Sequence, residues 1–301
     1  MKITKAIVFL TLAVLLLTAC TGGNTTQPEI TSTDFELHVR GISDPDKPDP
    51  GNTLSIHFIN VGEGDAILVL QGDYAMLVDG GPVEMGQYVL AYLQEQGITT
   101  LDYVVATHPF ADHVGGLPDV MHYIRTRNIL LPMIYHNTAA YNNFLIAVED
   151  SGAEAAVPFA GHVFALGDAI VTVISPNPND QWDNRANYSI VMRVEFGSTG
   201  FLLMGDAMQE VEANLLDSDT LLSSDVLKVA RHGTSSATTS EFLDAVSPTI
   251  AVISAGERNS FLSQEVLRRL ADAGVYVFRT DLYGNIVIVS DGTMLEVIVE
   301  R

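Results

Sequence analysis

The chain has 301 residues, of which 37 are Asp or Glu and 15 are Lys or Arg, so its formal net charge is −22 with neutral histidines. This acidic balance argues against binding of long nucleic acid, which requires a basic track that displaces counterions from phosphates. The one cysteine, Cys20, excludes an intramolecular disulfide, so any metal site must use His and carboxylate ligands.

The N-terminus has the pattern of a bacterial lipoprotein signal peptide. Two lysines precede an apolar run over residues 6–17, and two small residues lead to Cys20. The run is short for a membrane span, which takes roughly 20 residues. We therefore expect residues 1–20 to be a signal peptide and the mature protein to be extracytoplasmic, anchored to the cell membrane by a lipid on Cys20. Loss of both lysines leaves 13 basic and 37 acidic residues, a net charge of −24.

Residues 21–53 are rich in Gly, Thr, Pro and Asp and show little apolar periodicity apart from residues 35–39. This composition predicts a flexible linker between the membrane and the folded part. Residues 54–301 contain no second linker, and their number suits one large domain.

Strand-like and helix-like patterns alternate along residues 54–301. Apolar alternation predicts strands near residues 54–58, 66–70, 74–78, 101–107, 169–175, 188–196, 201–204, 226–229, 250–254, 275–278, 285–289 and 294–299. Helical periodicity predicts helices that end near Gly97, begin near Pro118, and cover residues 138–151, 208–216, 241–245 and 264–273. The chain thus passes through two similar halves, each a sheet with one face covered by helices. Two such sheets packed face to face predict an α+β fold, an αββα four-layer sandwich.

The strongest local signal is the segment of residues 107–116, directly after an apolar strand. Its polar residues are His108, Asp112 and His113, followed by a glycine pair. A tight turn after a strand lets such neighbouring side chains converge, and imidazole with carboxylate suits zinc, manganese or iron. The segment therefore predicts a metal site, or the remains of one.

With these residues the chain resembles the metallo-β-lactamase superfamily, and within it the C-terminal domain of ComEC-type competence proteins and their free-standing lipoprotein relatives. The resemblance covers nearly all of residues 54–301. It is carried by six segments in the family's order: residues 60–66, 78–81, 108–116, 187–189, 204–206 and 228–235.

The resemblance implies a hydrolase site at one edge of the two sheets, usually with two metal ions. By position, His108 would bind one ion, Asp112, His113 and His232 the other, and Asp206 would bridge them. Asp79 would orient a ligand, and Asp112 and Asp79 would serve the reaction directly. Coordination of this kind lowers the pKa of water towards roughly 7. Asp65 is open to two interpretations, a site carboxylate or a turn cap after Gly64.

Three site positions differ from the family pattern. Phe110 stands where a second His or an Asp is usual, Arg231 replaces the first His of a His-His-Gly motif, and Ser263 falls on a further His when Asn259 is aligned with the family's Asn. These changes weaken the His108 side most. We therefore expect one or two zinc ions, or manganese, and leave open a site with no metal. The other histidines, His38, His57, His122, His136 and His162, are interpreted as surface or packing residues.

Three functions compete at this point. The first is a membrane-anchored, metal-dependent hydrolase that acts on a phosphodiester or another small-molecule ester. The second is a catalytically degenerate binding lipoprotein that keeps the fold without the full metal site. A solute-binding transport lipoprotein would share the leader and linker, but it should have two βαβ lobes, which the motif series does not indicate.

Overall fold

The computed structural model describes residues 38–41, 52–256 and 261–301. The predicted signal peptide, Cys20, most of the predicted linker and Asn259 lie outside the described residues, so those predictions stay predictions. Among the described residues, no helix is both long and apolar enough to cross a membrane.

Strands make up most of the regular structure. In chain order they are β1 (His38–Gly41), β2 (Leu54–Phe58), β3 (Ile67–Gln71), β4 (Tyr74–Val78), β5 (Thr100–Val105), β6 (Arg125–Leu130), β7 (Glu154–Ala156), β8 (Val163–Leu166), β9 (Ala169–Ser175), β10 (Val191–Phe196), β11 (Thr199–Leu203), β12 (Val226–Lys228), β13 (Ile250–Ile253), β14 (Tyr276–Arg279), β15 (Ile286–Ser290) and β16 (Leu295–Val299).

The helices lie between these strands. They are α1 (Gly86–Glu95), α2 (Ala111–Val114), α3 (Leu117–Tyr123), α4 (Ala139–Ser151), α5 (Gln209–Leu216), α6 (Ser240–Val246), α7 (Gln264–Asp272) and α8 (Thr280–Tyr283), with short 3-10 turns at Val83–Met85, Arg185–Tyr188 and Ala230–Gly233. Pro118 lies in the first turn of α3, where its missing N–H breaks no helical hydrogen bond.

The described strands form two sheets. The first has the order β1-β16-β15-β2-β3-β4-β5-β6-β7, and the second has the order β14-β13-β12-β11-β10-β9-β8. Strands β4 to β7 pair in parallel, and so do β11 to β14. The carboxyl ends of the parallel strands in each sheet therefore lie at one edge of that sheet.

Three buried apolar clusters separate four layers. One joins the facing sides of both sheets and includes Ile56, Met76, Met192 and Phe201. A second covers the outer face of the first sheet with α1, α3 and α4. The third covers the outer face of the second sheet with α5, α6 and α7. The predicted αββα four-layer sandwich is confirmed.

Four strands, β1, β6, β7 and β8, were not predicted from the sequence. Strand β1 pairs in parallel with β16 although it falls within the predicted linker, so that part of residues 21–53 belongs to the first sheet. Strand β6 was missed because Arg125, Arg127 and Asn128 break its apolar pattern. Its pairing with β5 is supported by Asp102, which accepts from the Arg127 guanidinium.

Candidate metal centre

The predicted site residues lie at, or a few residues beyond, the ends of strands in the two sheets. Asp79 follows β4, and His108 follows the adjacent parallel strand β5 by three residues. In the second sheet, Asp206 and His232 follow the parallel pair β11 and β12. Because the carboxyl ends of parallel strands share an edge, the loops of both sheets meet at one place, where open sheets commonly bind ligands.

Close contact between two loops brings Asp112 and His113 to this edge. The Gly80 N–H donates to the His113 carbonyl at 2.7 Å, and the Gly116 N–H donates to the Gly81 carbonyl at 2.9 Å. A Cβ on Gly116 would overlap the Gly80 carbonyl oxygen. The glycine pair is therefore required by backbone packing between the two loops.

Four of the five predicted ligands converge. Nε2 of His113 lies 3.4 Å from Oδ1 of Asp206 and 3.9 Å from Oδ2 of Asp112. Nε2 of His232 lies 3.7 Å from each of the same two oxygens. A tetrahedral ion with metal–ligand distances of about 2.1 Å separates its ligands by about 3.4 Å. These four imidazole–carboxylate separations are thus close to the spacing around one ion. Asp112, His113 and His232 form one candidate ligand group, and Asp65, His113 and Asp206 form another that shares His113.

Several polar atoms at this edge are buried and lack a hydrogen-bond partner. They are Oδ1 of Asp65, both ring nitrogens of His108, Nε2 of His113, Oδ1 of Asp206 and Nε2 of His232. Native structures leave few such atoms unpaired, because each one costs about 1–3 kcal/mol. Their clustering at one point fits a divalent cation held by imidazole and carboxylate.

Asp79 orients the imidazole of His113. Its Oδ2 lies 2.8 Å from Nδ1 of His113, and its oxygens accept from the N–H and hydroxyl of Thr107. With Nδ1 as the donor, Nε2 presents its lone pair to the ligand group, the arrangement usual for metal-binding histidines. Asp79 has φ 58°, a left-handed conformation that this network maintains.

The imidazole of His232 is oriented by a backbone carbonyl. Nδ1 lies 3.2 Å from the oxygen of Ser254, so Nε2 faces Asp112 and Asp206. His232 and Arg231 both have left-handed φ values, 54° and 45°. The chain therefore turns sharply after β12 to bring this side chain inward.

Charges within the group are strongly coupled. Burial alone would raise the pKa of Asp206, but the imidazoles of His113 and His232 lower it far below its usual value. Burial disfavours the charged imidazole of His113, yet Asp206 and Asp79 raise its pKa well above its usual value. The imidazoles and the buried carboxylate therefore stabilise each other's charged forms.

Asp65 forms a buried ion pair with Lys228. The Lys228 side chain is 0% exposed, and its Nζ donates to Oδ2 of Asp65 at 2.7 Å and to the Val229 carbonyl at 3.1 Å. Burial opposes ionisation of Asp65, but Lys228 and His232 lower its pKa. Asp65 is a site carboxylate, since one of its oxygens lies within 4.8 Å of ligand atoms of His113 and Asp206.

Sequence reasoning did not identify Lys228 as a site residue. The available signal was a lysine inside the apolar strand β12, where burial requires an anionic partner. His136, interpreted from the sequence as a surface or packing residue, packs with its ring 5.0 Å from that of Phe110.

His108 lies beside the four-ligand group. It is fully buried, its ring is 5.9 Å from that of His113, and burial lowers its pKa to about 3, so it is neutral. The Phe110 ring packs edge-on against it at 4.2 Å. An aromatic ring therefore stands where the family pattern has a ligand.

The two other altered positions also have defined contacts. Ser263 caps α7 by accepting from the Glu265 N–H at 3.1 Å. Arg231 donates to the sulfur of Met208 at 2.9 Å.

Comparison with known proteins places this geometry in context. Residues 59–257 match the family model described as "Metallo-beta-lactamase superfamily". "ComE operon protein 3" of Bacillus subtilis (strain 168) is 28% identical over 251 residues, which is 77% of this chain and 32% of that protein. "Recombination protein 2" of Haemophilus influenzae is 29% identical over 226 residues, 72% of this chain and 26% of that protein. This chain thus spans about a third or less of the length of these relatives.

Solved structures of low identity share the fold. The metallo-beta-lactamase fold protein YhfI from Bacillus subtilis aligns with a TM-score of 0.53 and 13% identity, over 79% of this chain and 100% of that one. CmlA, a diiron beta-hydroxylase from Streptomyces venezuelae, aligns with a TM-score of 0.53 and 14% identity, over 80% and 55%.

The buried pair of Lys228 and Asp65 predicts a large stability effect. Lys228→Met should destabilise the metal-free protein by about 3–5 kcal/mol, because it leaves Asp65 buried without a counter-charge. Adding Asp65→Asn should restore part of this loss, giving a coupling energy of about 2–3 kcal/mol in a double-mutant cycle from urea unfolding.

A milder control is the pair of Arg127 and Asp102. The arginine side chain is 55% exposed, and Asp102, which is 10% exposed, also accepts from the Ala75 N–H at 2.9 Å. Arg127→Met should change stability by about 1 kcal/mol or less. Additive effects of Lys228→Met and Asp65→Asn would contradict the predicted coupling.

Asp79→Asn should weaken metal binding by about 10- to 100-fold, because an amide can donate to Nδ1 of His113 and shift the proton to Nε2. Competition with a zinc-chelating dye measures the affinity. Asp73→Asn, in an exposed turn, should bind as the unaltered protein does. Equal affinities for all three proteins would refute the orienting role of Asp79.

Proposed function

Because this chain belongs to the metallo-β-lactamase superfamily, we propose that it is a metal-dependent hydrolase that acts on a phosphodiester or another small ester. The observation that carries the proposal is the convergence of four buried or half-buried ligand atoms with imidazole–carboxylate separations of 3.4–3.9 Å. Three of them, in His113, Asp206 and His232, have no hydrogen-bond partner among the described residues. A merely structural cluster would satisfy these atoms by hydrogen bonds.

Two imidazoles and two carboxylates suit zinc or manganese. Asp112, His113, Asp206 and His232 would hold one ion. A bound divalent ion would supply a Lewis acid for the substrate oxygen and would lower the pKa of water. We propose one ion per chain, because among the described residues the other side of the site presents His108 with Phe110 against its ring.

The protein's own groups would orient the reaction and transfer its proton. Asp112 is 30% exposed, so its carboxylate reaches both the ligand group and solvent. Burial raises the pKa of Asp112, but His232 and His113 outweigh this and lower it, which keeps the carboxylate ionised. The lowered pKa makes it a weak base, so it would pass a proton on to solvent rather than hold it. Asp79 would fix the imidazole of His113, and Lys228 would neutralise Asp65.

The cellular location in this proposal rests on the leader pattern. Cleavage before Cys20 and lipidation of its thiol would anchor the domain on the outer side of the cell membrane. Metabolic labelling with a palmitate analogue would test it, because Cys20→Ser should remove the label. A labelled Cys20→Ser protein would overturn the anchoring.

A degenerate binding protein is the second candidate. The contact of Phe110 with His108 favours it, because that ring removes one ligand of a two-ion site. Such a protein would bind a ligand at the same edge without turnover. Metal content together with turnover separates the two functions.

The purified protein should contain about one zinc or manganese ion and hydrolyse bis(p-nitrophenyl) phosphate in a chelator-sensitive reaction. His232→Ala should reduce the rate by about 100-fold or more, because it removes a ligand. His162→Ala, on an exposed turn, is the matched control and should retain the rate. A protein with neither bound metal nor a rate above the protein-free blank is not a hydrolase, and the binding function then stands.

Duplex DNA should bind weakly, because a net charge of −22 for the chain, or −24 after leader cleavage, opposes the approach of every phosphate. Fluorescence anisotropy at low and moderate salt should give a dissociation constant no tighter than the roughly 10⁻⁴–10⁻⁶ M of ordinary non-specific binding. Nanomolar binding that is lost steeply with salt would reveal a basic track and favour a nuclease.

A further inference from the structure

The Arg231 guanidinium has no carboxylate partner among the described residues. Its one hydrogen bond there runs from Nη1 to the thioether sulfur of Met208 at 2.9 Å. A thioether is a weak acceptor. Carboxylate partners are present for Arg127, Arg193, Arg269 and Arg279.

The position of Arg231 is fixed by the site loops. Its N–H donates to the Gly205 carbonyl at 2.9 Å, immediately before Asp206 in the chain. Met208, whose sulfur accepts the hydrogen bond from Arg231, is two residues after Asp206. The Met208 N–H donates to Oδ1 of Asn187 at 2.9 Å. The Arg231 guanidinium therefore lies against the loop that carries Asp206, and the next residue along the chain is His232.

The contact with Met208 uses one of the N–H donors of the Arg231 guanidinium. A guanidinium has five N–H donors in a planar fork that matches two oxygens of a phosphate or carboxylate. Arg231 is half-buried and held against a thioether, in a chain with 37 acidic residues that offer many partners. Its remaining donors, on a residue held against the loop of Asp206 and directly before His232 in the chain, suit an anionic ligand that arrives from outside.

We propose that Arg231 binds a non-bridging oxygen of a phosphoryl group, and so selects phosphate esters over neutral carboxylic esters. The proposal rests on the proposed function for the identity of the site, and it names the substrate class. Arg231 replaces a potential metal ligand with a fixed positive charge, which provides a site for the anion of the substrate.

Binding of inorganic phosphate tests this proposal without any need for catalytic turnover. Isothermal titration of the zinc-loaded protein should show phosphate binding that weakens by about 10- to 100-fold in Arg231→Met, as expected for loss of a charge-assisted pair. Arg231→Lys keeps the charge without the fork and should bind with intermediate affinity. Arg125→Met, at the exposed start of β6, is the matched control and should bind as the unaltered protein does.

Zinc content and the urea unfolding midpoint are measured for each variant, and only variants that match the unaltered protein in both are compared. If Arg231→Met does not match, Arg231→Lys decides, because it must bind phosphate more weakly than the unaltered protein. Phosphate affinity unchanged by either substitution overturns the proposal.

Turnover gives an independent readout. In Arg231→Met, kcat/KM for bis(p-nitrophenyl) phosphate should fall by about 10-fold or more relative to that for p-nitrophenyl acetate, because the second substrate has no anionic oxygen to bind. If neither ester is hydrolysed but phosphate binding still depends on Arg231, the hydrolase fails and the anion site stands. Equal losses for both esters would overturn the selectivity.

Discussion

The burial of carboxylates at one edge of the two sheets is the constraint on which the rest of the site depends. Asp65, Asp79 and Asp206 are each 4% exposed or less, and an ionised carboxylate in such a place must meet a cation or several donors. Lys228, from the second half of the chain, pairs with Asp65, and the imidazole of His113 lies within hydrogen-bond distance of Asp79. The sheets are therefore joined at this edge by charge, and elsewhere by the apolar layer between them.

This constraint also explains why the site suits a metal ion. The hydrogen bonds of Asp79 and the Ser254 carbonyl fix the outer nitrogens of His113 and His232 and leave both inner nitrogens unpaired. A divalent ion would satisfy them together with Asp206, at separations close to those of a tetrahedral site. Of the three positions that differ from the family pattern, Phe110 packs against His108 and not against the four-ligand group.

Membership of a superfamily does not by itself give a substrate, because one fold carries many activities. The local departures are more informative. Phe110 removes a ligand, and Arg231 provides a cation without an acidic partner beside His232. Together these positions favour the proposed site for one ion and one anionic group over a two-ion site. The chain covers about a third or less of the length of its longer relatives.

The sequence by itself determined the fold family and four of the residues that gather at the site, Asp112, His113, Asp206 and His232. The segments around Asp79, residues 107–116, Asp206 and His232 are local motifs, and each carries its turn glycines and polar residues within a few positions of a strand end. Only the tertiary structure decided how these segments complete one another. Lys228 meets Asp65 across 163 residues, and β1 joins the sheet within the predicted linker. Such pairings depend on which loops the two sheets bring together, and a local pattern contains no information on contacts between distant segments.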